Sequence, residues 1–157
     1  MYAPVLVTPP AAALISYDEA KAHCRVDGDD ERTLIESLVT AATTHLDGYT
    51  GILGRALVTQ TWRQDFDGFC SRLRLPLVAA TITEVRAFAE DDNTGSAVTS
   101  TNFELLEDAL GSYARFIDDY AFPTSVRETR GVRVTFTAGY GAAASVPQAI
   151  KQAAFLL

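Results

Sequence analysis

Apolar residues recur at three- and four-residue steps through Leu34, Ile35, Leu38, Ala41, Ala42, Leu46 and Tyr49, and then the period changes. That first spacing places one apolar face on a helix from about Glu31 to Tyr49. After Arg55 the segment from Leu57 to Phe66 is rich in β-branched and aromatic residues, and Val58, Trp62 and Phe66 share a parity. That alternation belongs to a strand. Leu73 and Leu75, Thr81 to Ala89, Asn102 to Leu106, Tyr113 to Ile117 and Val132 to Thr137 read as further short strands. Asp67-Gly68 and the run Asp91 to Gly95 supply turns between them. Short successive strands with tight turns point to antiparallel pairing. Helical spacing returns at Ala149, Ile150, Ala153, Ala154, Leu156 and Leu157. Two changes of period in one chain predict an α+β fold, in which helices from the two ends pack together around an inserted antiparallel β unit. Leu34, Leu38, Ala42 and Leu46 are expected to face the C-terminal helix. The expected organisation is an extended arm over residues 1–15 and a single domain over 16–157. Within that domain 16–50 is helical, 57–137 is β-rich, and 146–157 starts a last helix.

Local signals set the helix ends. Ser16-Tyr17-Asp18-Glu19 has the Ser-x-x-Glu form of a capping box, which predicts a helix from Tyr17 to Cys24. The run Val26 to Glu31 breaks it, and Asp29 or Asp30 is the expected cap of the next helix. Gly48 and Gly51 should end that helix. Ser145, Val146 and Pro147 open the last one, because proline suits a first helical turn. On it, Ala149, Ile150, Ala153 and Leu157 form a stripe that can pack on the chain's own core. Phe155 and Leu156 lie on other sides, at about 100° per residue. One stripe cannot bury them all, and exposed apolar patches mark contacts. Phe155, Leu156 and Leu157 are therefore the candidate interaction residues.

Composition removes several function classes. The 157 residues are 48% hydrophobic and 21% charged, as in a folded globular domain. Formal net charge is −7, and the 13 Lys and Arg residues form no basic run, which argues against tight nucleic-acid binding. A surface that passes DNA without holding it fits this charge. No apolar run approaches the roughly 18–20 residues of a membrane span. Met1 to Ile15 is apolar but holds Pro4, Pro9 and Pro10 and no Lys or Arg, unlike a signal peptide. Cys24 and Cys70 read as free thiols. His23, Cys24, His45 and Cys70 lack the close ligand pairs of a zinc site. The acidic run from Asp27 fails as a calcium loop, because its twelfth position is Leu38 rather than a glutamate.

The stretch Val134 to Ala144, VTFTAGYGAAA, has the outline of a dinucleotide-binding turn. Such a turn follows the first strand of a parallel βαβ unit, with an acid roughly 20 residues on. Here the glycines come near the C-terminus, after antiparallel strands, with no later strand to carry the acid. The expected role of Gly139 or Gly141 is a positive φ or a close backbone approach between strand and helix. Phosphate-loop, zinc-protease and serine-hydrolase motifs do not occur. No catalytic residue, cofactor or metal site is predicted. A small monomeric enzyme or ligand-binding domain without a recognisable motif is the alternative reading.

The order of segments carries a resemblance. Ser16 to Val26, SYDEAKAHCRV, is similar to the S-x-x-E-A-K-x-x-L-R-V opening of phage head–tail connector (adaptor) proteins. Asp29-Asp30, Leu34-Ile35, Ala41-Ala42, Tyr49-Thr50-Gly51 and Arg55 to Trp62 then follow that family's order. Val132 to Gly141 and Val146 to Ile150 resemble its closing block. Cys24 replaces the usual leucine, and Ile52, Leu53 and Gly54 add residues before Arg55. The family helix normally continues further than Leu157. The resemblance covers about Ser16 to Leu157. It implies a non-catalytic virion protein, assembled in the bacterial host cytoplasm and located at the head–tail junction of a phage or gene transfer agent. It further implies a ring of identical subunits, usually twelve. That ring sits under the portal protein and receives a stopper or tail-side neck protein, and DNA passes through it without specific binding. Phe155, Leu156 and Leu157 would then meet portal or a neighbouring subunit.

Overall fold

The computed structural model describes residues 2–157, which form two compact units. One holds residues 10–59 and 139–157; the other holds residues up to Pro9 and 60–138. The residues before Ser16 are thus divided between the two. No helix among the described residues is long and apolar enough to cross a membrane.

The β unit contains eight strands: β1 (Val5–Thr8), β2 (Gln60–Phe66), β3 (Arg72–Arg74), β4 (Ala79–Ala87), β5 (Ser96–Ala97), β6 (Phe103–Asp108), β7 (Gly111–Phe116) and β8 (Val132–Ala138). They make a five-stranded sheet in the order β1-β2-β8-β4-β5 and a three-stranded sheet in the order β3-β7-β6, and every pairing is antiparallel. Trp62 pairs with Phe136, and Phe136 with Ile82, so one face of the large sheet is apolar. Phe136, Val134, Val132 and Val85 on that face are fully buried, as are Leu73, Ala114 and Phe116 of the small sheet. The Ala79 amide donates to the buried Ser112 hydroxyl at 3.0 Å and ties β4 to β7.

Residues 2–8 are fastened by polar contacts as well as by strand pairing. The buried Gln64 amide donates to the Tyr2 carbonyl at 2.7 Å and to the Asp65 carbonyl at 2.9 Å. The Tyr2 hydroxyl donates to Asp67, and the Arg130 guanidinium covers the Tyr2 ring at 4.9 Å.

The helical unit contains α1 (Tyr17–Cys24), α2 (Arg32–Leu46) and α3 (Gln148–Phe155). Its core is Leu14, Ile15, Ala20, Ile35, Leu46, Leu57, Val58, Val146 and Ala154. The α1 capping box forms as the sequence predicts, with the Glu19 amide donating to Ser16 Oγ and the Ser16 amide donating to Glu19 Oε2. Other expected ends move. Neither Asp29 nor Asp30 caps α2; Glu31 holds the cap position without a side-chain bond. The Asp29 carboxylate is already taken by Lys21 Nζ at 2.7 Å and the Tyr17 hydroxyl at 2.9 Å. Those two partners, lysine first, hold its carboxyl below the ordinary aspartate value. The second helix stops at Leu46 rather than Tyr49, and Asp47 Oδ1 then accepts the Leu57 amide at 2.7 Å. Ser145 does not cap α3, since it ends a short 3-10 turn and Pro147 takes the cap position.

Gly139 and Gly141 both have positive φ, at 125° and 118°. A Cβ on Gly139 would lie 2.6 Å from the Val58 carbonyl oxygen, so glycine is required there on two counts. The Thr59 amide donates to the Gly141 carbonyl at 2.9 Å, and the Tyr140 amide to the Leu57 carbonyl at 2.9 Å. These bonds lead the chain from β8 toward α3.

Candidate interaction surface

The three helices of the helical unit leave a groove of about 180 Å³ between them. Ala20, His23 and Cys24 line it from α1, Leu38 and Ala42 from α2, and Ala154 and Phe155 from α3. Its floor includes Ile15 and Ile35, both buried in the core. The walls are mostly apolar, and no group of histidines, cysteines and acids suited to a metal occurs among the described residues. The chemistry available here is apolar contact.

The helix α3 is oriented by an ion pair. Lys151 is 9% exposed, and its Nζ lies 3.1 Å from Glu19 Oε1. The other oxygen of Glu19 belongs to the capping box. The Ser16 amide first, and Lys151 second, hold the Glu19 carboxyl below its ordinary value. One carboxylate therefore closes the start of α1 and fixes the middle of α3. Sequence reasoning missed this, because a lysine among alanines on a terminal helix reads as a solvated residue.

The expected stripe on α2 is met in part, since Leu46 is buried in the core with Ala154, and Leu38 and Ala42 line the groove with Ala154 and Phe155. The stripe on α3 is rotated. On α2, Leu34 and Leu38 are 56% and 59% exposed, while Ile35 and Leu46 are buried and Val39 packs partly on the core. The apolar band is wider than the surface that covers it. On α3, Lys151 and Ala154 are buried and Ile150 is half-buried, whereas Ala149, Ala153 and Leu157 are exposed. Pairing of Lys151 with Glu19 turns that side of the helix inward. Phe155 is half-buried, and its ring stacks on His23 with centroids 4.7 Å apart. Leu156 and Leu157 are 84% and 67% exposed. So Phe155 has an internal partner, and the two terminal leucines carry the free apolar surface of the predicted trio. A histidine one helical step before Cys24 gave no sequence signal for that stacking.

A comparison with family models matches residues 15–102 to the phage gp6-like head-tail connector proteins. The matched span holds the capping box, α1, α2 and the strands from β2 to β5. The chain belongs to that family. It is a structural head–tail connector of the virion's head–tail junction.

Among solved structures, the connector is similar to a chain in the neck of an empty gene transfer agent particle computed with C6 symmetry. The TM-score is 0.79 at 22% identity, covering 99% of this chain and 81% of the other. It is also similar to a chain in the virion of a native gene transfer agent particle, with TM-score 0.75, 23% identity and coverages of 98% and 80%. A chain in the neck of the native particle computed with C12 symmetry gives 0.70, 20% identity and coverages of 99% and 80%. These likenesses carry the fold. No match was found among curated proteins.

Proposed function

We propose that this connector acts without catalysis, as one subunit of a closed ring between portal protein and a stopper or tail-side neck protein. DNA passes through the ring unread. Family membership is the observation that carries this reading, and the C6 and C12 symmetries of the similar neck structures support the ring. A twelve-fold ring is the expected stoichiometry. The acidic balance of the chain, at −7, suits a conduit that does not retain DNA.

The helical groove and the leucines beside it are the proposed portal contact. Leu156, Leu157, Leu34 and Leu38 expose apolar surface in one unit, and the groove offers a seat between helices. Such surface is stabilised when a partner removes it from water, at about 25 cal/mol per Å². Leu156→Asp and Leu157→Asp are therefore expected to keep the wild-type circular dichroism spectrum and lose capture by portal in co-sedimentation. A truncated anchor at an interface can cost about 2 kcal/mol, or some thirtyfold in affinity. Phe155→Asp is a poorer test, because it also breaks the stacking on His23. Wild-type capture by both leucine variants would move the portal contact elsewhere. A purified chain that stays monomeric with portal present, and shows a ligand-dependent melting shift, would favour the monomeric enzyme or binding-domain reading.

A further inference from the structure

The face of the large sheet that turns away from its apolar core is polar across β2, β8 and β4. Cross-strand register sets Thr61, Thr137 and Thr81 in one row, Arg63, Thr135 and Glu84 in the next, and Asp65, Arg133 and Arg86 in the third. Residues opposite one another on antiparallel strands share a face. Three arginines against two carboxylates leave this face net positive, on a chain whose net charge is −7.

Both carboxylates are already engaged. Arg133 Nε lies 2.8 Å from Asp65 Oδ1, and Arg86 Nε lies 2.8 Å from Glu84 Oε1. Arg63 is different. It is half-buried at the middle of the face, opposite Val5 of β1 on one side and Thr135 of β8 on the other. Its Nε is buried without a hydrogen-bond partner, and no ion pair reaches its side chain among the described residues. A half-buried cation with no counter-charge is a costly arrangement that an incoming anion relieves.

The helical unit carries the complementary feature. The turn between α1 and α2 holds Asp27, Asp29, Asp30 and Glu31, all exposed. Only Asp29 has side-chain partners there, namely Tyr17 and Lys21. Asp27, Asp30 and Glu31 are left with free carboxylates in an exposed turn.

From this complementarity we infer that the Arg63 face of one connector subunit receives the Asp27–Glu31 turn of a second copy. The two surfaces differ, so the contact is head-to-tail, and head-to-tail contacts generate rings when the rotation closes. A guanidinium takes a carboxylate as a planar two-bond fork, and the surrounding threonine hydroxyls can accept or donate to the rest of the turn. A polyphosphate backbone fits less well, because Asp65 and Glu84 flank the arginine on the same face. This assignment rests on the ring reading and specifies which surfaces would make it.

The test is charge reversal read by mass photometry and sedimentation velocity, with circular dichroism as the fold control. Arg63→Glu should weaken ring formation by at least about tenfold and make the remainder less sensitive to salt. Arg63→Gln, which removes the charge at similar length, should lower it in the same direction. The combined reversal Asp27→Arg, Asp30→Arg and Glu31→Arg should also weaken rings, and adding Arg63→Glu to it should restore them. Normal rings from Arg63→Glu would overturn the inference and leave the ring reading standing. Folded single-surface variants that lose rings, without recovery in the combined variant, would overturn the pairing. Retention of a single-stranded oligonucleotide that Arg63→Glu abolishes, with rings intact, would reassign the face to nucleic acid. Absence of wild-type rings both alone and with portal would remove the ring reading and this inference together.

Discussion

Replacing Glu19 by Gln and Lys151 by Met should give unequal costs, because the two partners of that ion pair are unequally buried. The Lys151 side chain is 11% exposed and that of Glu19 is 47% exposed. Glu19→Gln keeps an oxygen that can accept the Ser16 amide, so the capping box survives. It removes the counter-charge and leaves a buried ammonium. Breaking a fully buried pair costs about 3–5 kcal/mol. Solvent reaches Glu19, so a discounted loss of ~1–2 kcal/mol is expected. For a chain of this size that lowers Tm by about 2–8 °C. Lys151→Met instead removes the buried charge and leaves Glu19, which water reaches and the Ser16 amide still binds, so its cost should be smaller than that of Glu19→Gln. The double variant should therefore melt above Glu19→Gln alone. The sign of the pH dependence follows from the same contacts. The Glu19 carboxyl titrates below its ordinary value near 4.5 in the folded protein. A depressed folded pKa stabilises above the unfolded value, and the benefit is lost as pH falls through the folded one. The gap in Tm between wild type and Glu19→Gln should thus be full at neutral pH and close in acid below that value. Calorimetric melting of the four proteins across pH decides the matter. A Lys151→Met variant that melts below Glu19→Gln, or a double variant with no recovery, would refute the idea of a buried cation that depends on Glu19.

Two further outcomes rest on the β8–α3 passage and on the small sheet. Gly139→Ala should destabilise more than Gly141→Ala in chemical denaturation, since its Cβ meets the Val58 backbone at 2.6 Å while that of Gly141 meets the Ser145 side chain at 3.3 Å. Each also forces a positive φ on an L-residue, at about 1 kcal/mol or more. Neither substitution should reveal or remove NAD or ATP binding by calorimetry. Asp108 should titrate at about 2 by carbon NMR, because the Arg74 fork first and the Leu110 amide second stabilise its carboxylate. Its contribution to stability is present above the ordinary value of 3.8 and is lost as pH falls toward 2. Arg74→Met should raise that midpoint toward the ordinary value.

The sequence alone determined the features that neighbouring residues can settle among themselves. The α1 capping box, the presence of the helices, the alternating strands and the glycine exit from β8 all depend on contacts or torsions within a few positions, whereas the caps of α2 and α3 moved. The ordered motifs from Ser16 to Ile150 carried the family for the same reason, since each motif is a local structural signal. What only the tertiary structure decided involves partners distant along the chain. Val5–Thr8 becomes a strand because β2 offers it an edge, and nothing in residues 1–9 names that partner. The apolar band of α2 is wide enough to be buried along either of two lines. Packing in the helical unit covers Ile35 and leaves Leu34 and Leu38 in water. Lys151 looks like a solvated lysine until Glu19, far earlier in the chain, is placed against it. Arg63 is likewise one arginine in a polar strand position until cross-strand register surrounds it with Val5 and Thr135 and gives both nearby acids to other arginines. Periodicity states which residues can share a face; only the assembled fold states what that face meets.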